Sequence, residues 1–154
     1  MMRLIATTAL LIIAGTMAAV AEEFRHIGDF ITKSRVKVSS GQILPVAMKP
    51  LMLSVYTDGI SVRISTNGDS EHATDYTIYR SDGIGRQKGA GGALEVVPGV
   101  QATSEQAGIL RQLRLTREQL TITSFPGVSD QIVITHARLA PPPKAVSVEE
   151  AADR

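Results

Sequence analysis

The sequence predicts a mainly β protein, a small antiparallel barrel or sandwich with one short helix, and two observations carry that expectation. Val, Ile and Thr recur in short alternating runs, as on the half-buried strands of an antiparallel sheet. Gly, Asp-Gly and Pro-Gly punctuate those runs at intervals suited to hairpins. There is no Cys, so packing and hydrogen bonding alone hold the fold.

The first 21 residues read as an address. Arg3 precedes an uncharged apolar run from Leu4 to Val20, and Ala19-Val20-Ala21 offers the small-x-small pattern that a signal peptidase cuts. Acidic Glu22 and Glu23 follow, in place of the basic flank a retained anchor carries. The expectation is a signal peptide over 1–21, a β domain over 22–140, and a disordered Pro-rich tail over 141–154 that opens on Pro141-Pro142-Pro143. The chain is thus expected in the periplasm or outside the cell, with no integral membrane span once the leader is removed.

Within 22–140 the alternation places strands at 30–38, 43–47, 51–57, 60–66, 75–80, 93–97, 110–115, 119–124 and 131–139. A two-residue type I′ turn at Asp58-Gly59 would set Thr57 against Ile60, Val55 against Val62 and Leu53 against Ile64. That puts an aliphatic set on one face, and Tyr56, Ser54 and Arg63 on the other. A three-residue loop at Pro126-Gly127-Val128 would pair Ile122 with Ile132, Leu120 with Ile134 and Glu118 with His136. Thr103-Ser104-Glu105-Gln106 fits a helix capping box, followed by Ile109, Leu110 and Leu113 at helical spacing, although Gly108 shortens that helix. The Gly-rich stretch 81–92 reads as a mobile surface connection.

Composition narrows function by exclusion. The formal net charge is +1, and losing Arg3 with the leader balances acids and bases, so no nucleic-acid partner is expected. Without Cys there is no thiol nucleophile, no zinc–thiolate centre and no lipid attachment through an N-terminal cysteine. Three Phe, three Tyr and no Trp are too few for the aromatic girdles of an outer-membrane barrel.

No catalytic constellation stands out among His26, His72 and His136. Asn67, Asp69, Glu71 and Asp75 begin like a calcium loop, but His72 and Ile78 stand where that loop needs Gly and a bidentate Glu. The glycines near Arg86 and Lys88 lack the order of a phosphate-binding loop. Arg111, Arg114 and Arg117 would share one face of a helix. No cofactor, metal site or catalytic residue is therefore expected.

The preferred role is a non-catalytic envelope protein that binds another protein or an envelope component. Tyr56, Arg63, Tyr76 and Arg80 are taken to share one mixed face, since Tyr and Arg contribute heavily to interfaces. The alternatives are a carrier holding a lipid or other small hydrophobic ligand in a β cavity, and a hydrolase using His136.

Overall fold

The computed structural model describes residues 23–87, 91–127 and 131–143. The expected leader, and the expected tail from 144 onward, lie outside the described residues. The described strands are β1 (Arg25–Ser39), β2 (Gln42–Pro45), β3 (Met52–Thr57), β4 (Ser61–Thr66), β5 (Asp69–Arg80), β6 (Ile84–Gln87), β7 (Leu94–Val97), β8 (Gly99–Gln106), β9 (Ile109–Thr116), β10 (Gln119–Pro126) and β11 (Ile132–Leu139).

Strands β1, β3, β4, β5, β8, β9, β10 and β11 are antiparallel neighbours in that order, and β11 pairs with β1 to close an eight-stranded barrel. A barrel, not a sandwich, is the form adopted, and closure leaves no open sheet edge along the paired wall.

The closure depends on the length of β1. Its first half pairs with β3, from Arg25↔Thr57 to Ile31↔Met52, and its second half pairs with β11, from Phe30↔Leu139 to Val38↔Ile132. Where β3 falls short, β2 takes its place along the same edge of β1, from Val36↔Pro45 to Ser39↔Gln42.

Lys33 is an extra residue in β1, between the pairs Thr32↔Ala137 and Ser34↔His136. A bulge of one residue shifts a two-residue alternation by half its period. Phe30 and Thr32 point inward before it and Arg35 after it, so aliphatic Val36 and Val38 are turned to the outer face.

The expected helix at Thr103 is a strand. Ala102 and Ser104 are buried inward positions of β8 while Glu105 is exposed, which is a period of two and not of 3.6. Ala107 (φ 51°) and Gly108 (φ 74°) then form a two-residue hairpin between Gln106 and Ile109, so the glycine read as a flaw in a helix is the turn itself. Residues 84–87 and 94–97, read as parts of a mobile connection and a strand, pair as a separate β6–β7 hairpin. It is tied to the barrel wall by Arg114 Nη2, which donates to Gly85 O at 3.0 Å.

Two hairpin registers also differ from expectation. Between β3 and β4 the pairs are Thr57↔Val62, Val55↔Ile64 and Leu53↔Thr66, two positions away from the expected ones. Three residues, Asp58, Gly59 and Ile60, separate β3 from β4: Asp58 Oδ1 accepts from the backbone N–H of Ile60 (2.9 Å) and of Ser61 (2.6 Å), and only Gly59 adopts a positive φ.

Those two N–H groups, Ser61 first, hold the Asp58 carboxyl below its ordinary value of 3.8. The stability it contributes is therefore present above that value and lost as pH falls through the lowered one. Asp58→Asn is expected to flatten the acid-side decline in urea midpoint relative to the parent chain, as followed by circular dichroism.

Between β10 and β11 the register is three positions from the expected one, with Leu120↔Ala137, Ile122↔Thr135 and Thr121↔His136. An odd displacement reverses every side chain. Thr135 and Ala137 face the interior, while Ile132, Ile134 and His136 face outward and His136 stands across from Thr121, not Glu118.

Most of the interior is filled. Phe30, Val55, Val62, Ala102, Leu113 and Leu120 are fully buried, and Leu53, Ile64, Tyr76, Leu115 and Ala137 pack around them. Eight strands enclose about enough room for side chains and little more. The filling changes along the barrel axis. Toward the end that carries the Asn67-Gly68 and Ala107-Gly108 turns, the inward positions become polar and basic.

Candidate functional site

Two places on the barrel gather chemistry, one outside and one within. On the outer wall, Tyr56 of β3 stands opposite Arg63 of β4, and Arg63 opposite Asp75 of β5. Arg63 donates twice to Asp75, Nε to Oδ1 at 2.7 Å and Nη2 to Oδ2 at 2.8 Å, and this fork holds the Asp75 carboxyl below its usual range.

The Arg63 guanidinium also lies 4.0 Å from the centre of the Phe24 ring, and the His26 ring lies 5.1 Å from that of Tyr56. Asp29 accepts from Ser54 Oγ at 2.7 Å and lies 3.0 Å from His26 Nε2; the hydroxyl first, and then the imidazole, lower its pKa.

Beside this chain runs a groove of about 640 Å³ lined by Phe24, Tyr56, Arg63, Ser65 and Ala73 among others. Its far wall is a bulge. Between the pairs Thr66↔Asp69 and Ile64↔Thr74 only Ser65 intervenes on β4, whereas residues 70–73 intervene on β5. Ser65 is buried even though it lies on the outer face.

Of the four residues expected to share this face, Tyr56 and Arg63 do. Tyr76 does not, because it follows Asp75 in a strand and therefore points into the barrel, where it is only 3% exposed. Arg80 lies beyond an irregularity in the β5–β8 pairing and is held by Asp82 two residues on, away from the groove.

The second place is the open end of the barrel. A cavity of about 190 Å³ there is lined by Thr32, Arg35, Leu51, Leu53, Ile64, Thr66, Thr74, Tyr76, Arg111, Ile122, Ser124 and Thr135. Arg111 is inward because it continues the rank of Leu115 and Leu113 along β9, paired with Ser104 on one side and Ser124 on the other. Arg35 Nε donates to Thr135 Oγ1 at 3.1 Å.

No carboxylate lines this cavity among the described residues, and the four ion pairs found among them involve neither arginine. Among the described residues Arg111 Nη1 is buried with no hydrogen-bond partner. Burial pushes the Tyr76 phenol up from 10.0, so it keeps its proton and can donate.

The stripe read as Arg111, Arg114 and Arg117 is divided by the strand. A spacing of three sends Arg111 inward and Arg114 outward, while Arg117 falls in the turn after β9. Reading that spacing as helical hid Arg111, and the bulge at Lys33 hid Arg35. A strand period applied to 109–115 finds the first of these from sequence.

The remaining candidates are engaged in local structure. His136 is exposed, with Nδ1 3.2 Å from Thr121 Oγ1, in an outer depression shared with Lys33 and Arg138. Asn67 Oδ1 accepts from Met52 N, and Asp69 accepts from Glu71 N, from His72 N and at 2.8 Å from the His72 ring. Among the described residues no group of three or more His, Asp or Glu is placed to hold a metal ion, and no helix is long and apolar enough to cross a membrane.

The fold and these two places define a closed antiparallel eight-stranded barrel with an aromatic–guanidinium groove outside and a basic cavity at one end. Comparison with known families, with curated proteins and with solved structures gives no match for this chain.

Proposed function

We propose that the chain is an exported, non-catalytic binding protein that engages a protein partner of the cell envelope through the groove at Phe24, Tyr56 and Arg63. The observation that supports this reading is the ordering of that groove before any partner arrives. Arg63 is fixed by the Asp75 fork and stacked on Phe24, so less side-chain freedom remains to be lost on association. Tyr and Arg anchors of this kind are over-represented among residues that dominate binding energies.

The interior lends little support to a carrier of hydrophobic molecules. Side chains fill most of it, and the space left is smaller than the roughly 300–1,000 Å³ typical of small-molecule sites and is lined by two arginines and six hydroxyls.

The test is capture from envelope extract on immobilised leaderless protein. A partner retained by the parent chain is expected to be lost with Tyr56→Ala and with Arg63→Ala, and kept with Lys33→Ala on another part of the wall. Equal retention by all four proteins overturns the reading.

A further inference from the structure

We propose that the open end of the barrel is a binding site for a compact oxyanion, a phosphate or carboxylate group, gripped by Arg35 and Arg111. The site is separate from the outer groove and does not depend on it.

Both arginines occupy inward positions of a closed barrel, on β1 and β9, with β11 and β10 between them. Inward positions of a small barrel are ordinarily apolar, and deeper in this one they are. Two guanidinium groups that line one cavity are partly withdrawn from water, which is costly unless negative charge meets them. The described lining residues supply none, and among the described residues Arg111 Nη1 is buried without an acceptor. An oxyanion supplies both the missing charge and the missing acceptor. Its oxygens accept from guanidinium forks in the paired geometry that Arg favours and Lys does not.

The other polar groups fit the same guest. Thr66, Thr74, Ser124 and Thr135 bring hydroxyls that can donate to oxygen, and the protonated Tyr76 phenol lies within the electrostatic reach of Arg111. Lys37 is a further cation on the inward register, beyond the residues that line the cavity. It pairs with Val133, which pairs with Ser124, which pairs with Arg111, so Lys37 and Arg111 lie on one rung of inward positions across the sheet.

Size excludes larger guests from full enclosure. A cavity of about 190 Å³ takes a phosphate or carboxylate group but not a nucleotide or a lipid body. The ligand is therefore either a free small anion or the anionic end of a longer molecule that projects from the barrel.

The test is titration of the leaderless chain at low ionic strength with inorganic phosphate, acetate and octyl phosphate, followed by isothermal calorimetry. Saturable binding of at least one is expected, weakened about tenfold or more in Arg35→Gln and in Arg111→Gln and unchanged in Arg63→Gln. Arg111→Lys keeps the charge, loses the fork, and is expected to bind more weakly than the parent chain. It also serves if Arg111→Gln fails to fold. Inorganic phosphate binding as well as octyl phosphate assigns a free anion; clearly tighter octyl phosphate assigns an anionic head group. No saturable binding of any of the three, or equal binding by the parent chain and both glutamine variants, overturns the proposal.

Discussion

Phe30→Ala is expected to cost about 3–5 kcal/mol of folding stability. Phe30 is 1% exposed and is among the largest fully buried side chains of the barrel. Like Ile31 beside it, Phe30 pairs with both neighbours of β1, with Leu53 of β3 on one side and Leu139 of β11 on the other, but its side chain lies in the core. Truncation there opens a cavity at the seam where the sheet closes on itself. Urea denaturation should show a lower midpoint with an unchanged slope, since the surface exposed on unfolding is nearly the same. Ile31→Ala is the control: Ile31 is next in the strand, points outward and is half-buried, so its loss should be a fraction of that for Phe30. Equal losses at the two positions contradict the inward assignment.

That contrast between neighbours also shows what the sequence made legible. Alternation of apolar and polar residues identifies nearly every wall strand, because burial of one face is a local pattern of period two. It does not count residues in turns, and the consequence of a miscount depends on its parity. At Asp58 the expected register is displaced by two, so Leu53, Val55, Val62 and Ile64 still face the core as expected although their partners change. At Pro126 the displacement is three, so Ile132 and Ile134 exchange faces with Val133 and Thr135. Matching isoleucines to isoleucines favours the wrong register there, because an outer stripe with Val36 and Val38 is also aliphatic.

The candidate sites divide along the same line. Tyr56 and Arg63 share the outer face that the alternation predicts, because both precede any irregularity in the β3–β4 pairing and in β4. Tyr76 was misplaced because its outer-face counterpart is Asp75, one residue earlier. Arg35 lies beyond a bulge that no residue type announces, since Lys33 carries neither the Gly nor the Asn that often marks one. Arg111 was concealed by a capping-box pattern that competes with the strand period over the same residues. Tertiary pairing with β10 decides that competition, because an extended β9 buries Leu113 and Leu115 in a core that an isolated helix could not reach.

Arg111→Leu is expected to raise stability by about 1–3 kcal/mol, the penalty of a buried donor without a partner. An inward substitution in a packed barrel ordinarily destabilises, so the sign is the informative part. Leu at this position continues the inward rank of Leu115 and Leu113 and covers the end of the core, while the charge and its stranded nitrogen are removed. Arg114→Leu provides the contrast on the outer face of the same strand: it loses the donation to Gly85 O and gains no burial, so no stabilisation is expected. Added phosphate should then reverse part of the difference. A ligand that binds the folded state stabilises it in proportion to the logarithm of its concentration above the dissociation constant, so phosphate raises the parent chain's midpoint and leaves that of Arg111→Leu unmoved. A leucine variant no more stable than the parent chain in phosphate-free buffer shows instead that the guanidinium is already satisfied, and the argument for a charge awaiting its counterion fails with it.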